Sequence, residues 1–212
     1  MKKTIRAVFW DMDGTLIDTE DLHYEVIRDW CAGHGLDLTP EDNLQLIAKT
    51  MQEKWALLES RLDASATEAG FRKDCEDWYI DRLTADKGLE RSLVVVRKLA
   101  AQGVLQACVS NGEEAVVRAN IDILGLTDIF KFFVSGKDCE QGKPAPDPYL
   151  LAAKKAGFEP ERCIAVEDSP VGMQSARAAG CVVCGWPHDP EADLDYDHLL
   201  KTGNEFPFRL LD

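Results

Sequence analysis

The stretch Thr4-Ile5-Arg6-Ala7-Val8-Phe9-Trp10-Asp11-Met12-Asp13-Gly14 changes character near its end. Residues 4–10 are rich in β-branched and aromatic side chains, the composition of a buried strand, whereas Asp11 to Gly14 have the chemistry of a turn. The stretch therefore predicts a strand that runs into a loop carrying two carboxylates. Such a strand cannot bury its faces alone and needs neighbours. After Gly88 the sequence supplies them, with expected helices at 89–101, 113–124, 147–156 and 170–179. Expected strands alternate with these helices at 104–109, near 131–134, at 163–166 and at 181–185. Alternation of this kind implies right-handed βαβ units on a parallel sheet, the α/β class.

Between the first strand and this alternation lies a block of different rhythm. Leu22, Val26, Ile27 and Trp30 form one helical stripe that Gly33 and Gly35 stop, and Thr39-Pro40-Glu41-Asp42 is an N-cap followed by a helix start. Helical periodicity continues through Trp55, Leu58, Cys75 and Tyr79, and no strand is expected before about Arg82. The expected organisation is a core of residues 1–17 and 87–212, interrupted by an all-helical insert at 18–86.

Composition narrows the function. The 212 residues carry 24 Lys plus Arg against 38 Asp plus Glu, a net charge of -14, so the protein's own field opposes phosphate backbones and anionic lipid. Neither nucleic acid nor a membrane is an expected partner, and no run approaches the ~20 apolar residues of a membrane span. Lys2-Lys3 and the apolar residues after them imitate a signal peptide only until Asp11. The seven cysteines are an odd count without zinc or disulfide spacing, which fits a reducing, cytoplasmic compartment. Cys181-Val-Val-Cys184 has no second pair and no following helix start, so a redox or metal role is set aside.

In open parallel sheets, ligands bind beyond the carboxyl ends of the strands. Those ends are polar here: Asp11-Met12-Asp13-Gly14-Thr15, Ser110-Asn111-Gly112, Gly142-Lys143-Pro144 and Glu167-Asp168-Ser169. If the chain stays extended, Asp11 and Asp13 face one side, and four carboxylates converge with a single lysine. Carboxylates so close require a counter-ion, and an all-oxygen donor set suits Mg²⁺. Ser110, the backbone amides near Asn111 and Gly112, and the point charge of Lys143 are what phosphate oxygens need. Each piece alone is a common turn; their joint appearance at successive strand ends is not.

These four segments, in this order, resemble the motifs of the haloacid dehalogenase-like hydrolases, and the likeness covers nearly the whole chain. The insert resembles the small helical cap of the subgroup that includes β-phosphoglucomutase and sugar-phosphate phosphatases. The resemblance implies a Rossmann-like three-layer core and a Mg²⁺-dependent phosphatase acting on a small phosphorylated metabolite, a sugar or polyol phosphate. It implies Asp11 as nucleophile, Asp13 as general acid and base, and phosphate held by Ser110, Asn111 and Lys143. Mg²⁺ would be held by Asp11, the Asp13 carbonyl and Asp168, with Glu167 as a direct or indirect partner. An acid at Asp13 argues against the dehalogenase and phosphonate-cleaving branches, where no leaving group needs that proton. A phosphomutase with the same Asp11 chemistry is the alternative. A Mg²⁺-binding phospho-receiver or scaffold module is a further one, opposed by the insert and by Asp13. A monomer or weak homodimer is expected.

Some residues admit two readings. His23 is either a neighbour of Asp13 or a packing residue on the stripe with Ile27 and Trp30. Gln52 stands where mutases place an arginine for the second phosphate, which favours hydrolysis. Trp10 is read as filling space beneath the sheet. Gly136 to Gly142-Lys143 fails as a P-loop, since five residues separate the glycines and Pro144 replaces Ser or Thr. Asp193-x-Asp195-x-Asp197 fails as a calcium loop, because His198 and Asn204 stand at its Gly and Glu positions; an acidic surface loop is expected.

Overall fold

The computed structural model describes residues 4–47, 49–187 and 194–211. Contacts divide the chain into two compact units, Met1–Asp18 with Ala85–Asp212, and Thr19–Thr84.

The larger unit is built on a six-stranded parallel sheet. Its strands are β1 (Ala7–Trp10), β2 (Leu105–Val109), β3 (Phe130–Val134), β4 (Cys163–Glu167), β5 (Val182–Gly185) and β6 (His198–Leu199). They lie in the order β3-β2-β1-β4-β5-β6, so β1 is central, with Phe9 opposite Ala107 on one side and Ala165 on the other. All four residues of β1 are buried, as a strand covered on both faces requires. The strand order reverses at β1 and β4, the switch point at which such sheets bind ligands. Strand β6 was not expected: at two residues it is too short to show an alternation, and its pairing with Cys184 and Gly185 places it.

The smaller unit is helical, with α1 (Glu20–Gly33), α2 (Pro40–Leu46), α3 (Met51–Leu58) and α4 (Glu68–Arg82). Leu22, Val26, Ile27 and Trp30 form the buried face of α1. Thr39 caps α2 in a reciprocal box with Asp42, and Thr50 caps α3 likewise with Glu53. The unit's own core is aromatic: Trp30 meets Phe71 edge-on at 5.1 Å, and Trp55 lies 5.8 Å from Phe71.

The remaining helices belong to the larger unit and follow its strands: α5 (Glu90–Ala101), α6 (Glu114–Ile123), α7 (Asp147–Ala156) and α8 (Pro170–Ala179). Trp10 does fill space. It is fully buried, stacks on Phe206 at 6.2 Å and donates to Gln106, which in turn donates to the Val96 carbonyl. An orphaned amide there would cost about 1–3 kcal/mol. All seven cysteines are free. Burial pushes the Cys31 thiol up to about 11 and the Cys163 thiol up to about 12, so neither is a ready nucleophile. Asp193 lies outside the described residues; Asp195 and Asp197 pair with Arg177 at 3.0 and 2.9 Å, an ordinary surface ion pair. Among the described residues no helix is long and apolar enough to cross a membrane.

Candidate active site

The Asp11 amide donates to the Val166 carbonyl at 3.0 Å, carrying the β1 ladder one step past the strand. The chain then coils instead of staying extended. The Met12 carbonyl accepts from the amides of Thr15, Leu16 and Ile17 at 3.2, 2.8 and 3.2 Å. Gly14 takes a left-handed φ of 79°, and a Cβ there would lie 2.1 Å from an Asp168 oxygen. The start of α5 braces this coil: Ser92 Oγ donates to the Thr15 carbonyl at 2.5 Å and Arg91 to the Gly14 carbonyl at 3.3 Å.

Lys143 arrives from the loop between β3 and α7. Its Nζ donates to Asp11 Oδ1 at 2.6 Å, to Glu167 Oε1 at 2.6 Å and to the Val109 carbonyl at 2.8 Å, one acceptor for each ammonium hydrogen. Asn111 anchors the lysine's backbone, accepting from its amide at 2.8 Å and donating to its carbonyl at 3.1 Å. Ser110 continues β2, its amide donating to the Val134 carbonyl at 2.9 Å, and uses its hydroxyl oxygen to accept from the Gly112 amide at 2.9 Å. Glu167, the last residue of β4, is wholly buried; its Oε1 also accepts from the Tyr149 hydroxyl. Its Oε2 is buried without a hydrogen-bond partner among the described residues. Gly172 in the first turn of α8 makes room for that oxygen, since a Cβ would lie 1.8 Å from it.

Asp11, Glu167 and Asp168 each offer a carboxylate oxygen, all within 4.8 Å of one another. Three hard oxygen donors, with an unpartnered buried oxygen on one of these carboxylates, fit a cation of the Mg²⁺ kind. Asp13 is not one of this trio, contrary to the expectation of four converging carboxylates. Its charge still reaches the site, pushing the Asp11 carboxyl upward.

Electrostatics agree with a site built for a cation. Burial raises the Asp11 carboxyl, with Lys143 opposing. Burial and the neighbouring Asp11 push Glu167 up to about 8 and Asp168 up to about 7. Burial would lower the Lys143 ammonium, but Asp11 and Glu167 outweigh it and hold it charged. Glu167 and Asp168 thus bind their protons more tightly in the folded chain than in the unfolded one. Their contribution to stability is fully present below about pH 4 and is lost as pH rises through about 8. In chelator, the protein is expected to lose unfolding free energy between pH 5 and 8. Mg²⁺ should restore most of it at pH 8 and little at pH 5. Urea midpoints that do not move between these pH values in chelator would contradict this electrostatic reading.

The other expected site residues have these partners. The Asn111 side chain holds the lysine loop through both of its polar atoms. In the helical unit, His23 stacks on Tyr79 with ring centroids 4.5 Å apart, and Gln52 is exposed on α3. Sequence reasoning missed Tyr149 and Gly172. A tyrosine in an amphipathic helix reads as core, and a glycine in a first turn carries no periodic signal.

Comparison with known proteins follows the same lines. Residues 5–180 match the family model described as haloacid dehalogenase-like hydrolase. Hexitol phosphatase A of Escherichia coli (strain K12) is 33% identical over 182 residues, 84% of this chain and 81% of that protein. The bifunctional riboflavin kinase/FMN phosphatase of Arabidopsis thaliana is 27% identical over 213 residues, and the chain spans 55% of its length. The crystal structure of CbbY from Rhodobacter sphaeroides in complex with phosphate superposes with a TM-score of 0.83 at 25% identity, covering 96% of each chain. With its motif residues gathered at the switch point of a parallel sheet, the chain belongs to the haloacid dehalogenase-like hydrolases.

Proposed function

We propose that the protein is a Mg²⁺-dependent phosphatase of a small sugar or polyol phosphate, working through an aspartyl-phosphate on Asp11. The observation that carries this reading is Lys143 bridging Asp11 and Glu167 inside the carboxylate trio. Hexitol phosphatase A, similar over most of both chains, supports the substrate class.

Asp11 attacks phosphorus, forming an O–P bond as the ester P–O bond breaks. Lys143 fixes the direction of the Asp11 carboxylate, while Ser110 and the neighbouring backbone amides face the phosphoryl oxygens. Asp13 gives its proton to the departing alkoxide, then takes one from the water that hydrolyses the mixed anhydride to phosphate and free Asp11. Asp11, the Asp13 carbonyl and Asp168 would hold Mg²⁺, with Glu167 beside them. When bound, the ion offsets the carboxylates' charge and attracts the phosphate. The helical unit is assigned the selection of substrate, as a cap.

Hydrolysis is favoured over phosphomutase activity by the helical unit's own charges. A mutase must hold a second phosphate with free cations, whereas Arg61 pairs with Asp42 at 2.5 Å, Arg82 with Asp29 at 2.7 Å, and Lys73 with Asp77. With β-glucose 1-phosphate, a trace of the 1,6-bisphosphate and Mg²⁺, glucose 6-phosphate is not expected to accumulate. A panel of sugar and polyol phosphates should instead release inorganic phosphate. Rapid glucose 6-phosphate formation without free phosphate would reassign the enzyme as a mutase.

A further inference from the structure

Lys143 divides its charge between two carboxylates, Asp11 and Glu167, at equal distances of 2.6 Å. Both compete for one ammonium inside a largely dry site, since the lysine side chain is 5% exposed and that of Glu167 not at all. A bare Glu167 carboxylate would win that competition. It is the more deeply buried of the two, and its other oxygen has no hydrogen-bond partner among the described residues. One further group alters the balance. The Tyr149 hydroxyl donates to Glu167 Oε1, the same oxygen that Lys143 contacts. The ring that carries it is fully buried at the start of α7, packed 6.5 Å from Phe9, and lies 5.2 Å from the Lys143 ammonium. Its hydroxyl therefore has a fixed aim.

We propose that Tyr149 is a positioning residue, whose hydroxyl takes up part of the Glu167 charge and so leaves Lys143 to hold Asp11 in line. This rests on the catalytic reading above. A hydrogen bond to a charged group is worth enough to bias a shared ammonium, and misplacing a nucleophile slows the step in which it attacks more than it weakens binding.

The test is a pair of single variants and their double variant, assayed with p-nitrophenyl phosphate in excess Mg²⁺. Tyr149→Phe keeps the ring and removes one oxygen. Its kcat is expected to fall about tenfold, with KM changed less than twofold. In a Glu167→Gln background the neutral amide no longer draws Lys143 away, so adding Tyr149→Phe should lower kcat less than threefold. Read on urea midpoints in chelator at pH 9, above the range in which burial holds a proton on Glu167, the same cycle should also be non-additive. The proposal is overturned by a folded Tyr149→Phe enzyme with wild-type kcat, by a rise in KM at constant kcat, or by equal effects of Tyr149→Phe in both backgrounds. Asp11→Asn, assayed alongside, separates the two levels. If Asp11→Asn is inactive and Tyr149→Phe is unimpaired, only the positioning role fails. If Asp11→Asn is active, the catalytic reading itself fails.

Discussion

Replacing Asp11 with asparagine is expected to reduce phosphate release by more than a hundredfold and to leave the fold unchanged. The amide has nearly the volume of the carboxylate and keeps an oxygen that can accept from Lys143, so β1 and the coil at Met12 have no reason to rearrange. It has no negative charge and cannot form the O–P bond. A loss of a hundredfold is about 3 kcal/mol in the barrier, more than one lost hydrogen bond to a charged group typically accounts for, so the measurement distinguishes a missing nucleophile from a merely disturbed site. Turnover is read as released phosphate, and folding by circular dichroism and the urea midpoint. An Asp11→Asn protein that retains more than a hundredth of wild-type turnover would refute covalent catalysis by this residue.

Removal of the divalent cation is expected to be as severe. Asp11, Glu167 and Asp168 bring carboxylate oxygens within 4.8 Å of one another with Lys143 as the shared ammonium. At an effective dielectric constant of 20, two unit charges about 5 Å apart repel by about 3 kcal/mol, and a phosphate ester brings up to two more negative charges to the same place. Chelator should therefore lower turnover at least a hundredfold. Mg²⁺ should restore it and Ca²⁺ should restore little, because its larger and looser coordination misdirects the attacking oxygen. Titration calorimetry on the chelator-treated protein supplies a readout independent of turnover, with binding heat for Mg²⁺ in the wild type and a much weaker signal in Asp168→Asn. Full activity in chelator would refute a metal-dependent site.

Asp11 to Gly14, Ser110 and Asp168 were legible because they directly follow strands readable from composition, Glu167 because it ends one and Lys143 because it lies in the loop after another, and parallel sheets gather strand ends at one edge. The helices were legible from stripes such as Leu22, Val26, Ile27 and Trp30, and from caps such as Thr39. These are short-range properties: periodicity and capping act within a few residues, so the order of elements is determined by the sequence itself. What only the tertiary structure decided is which polar atoms share a partner. The attachment of Asn111 to the Lys143 backbone and the meeting of Lys143 and Tyr149 on one Glu167 oxygen join residues up to 32 positions apart. No local pattern encodes them, because hydrogen bonds form over about 3 Å and depend on how helices α7 and α8 seat against the sheet.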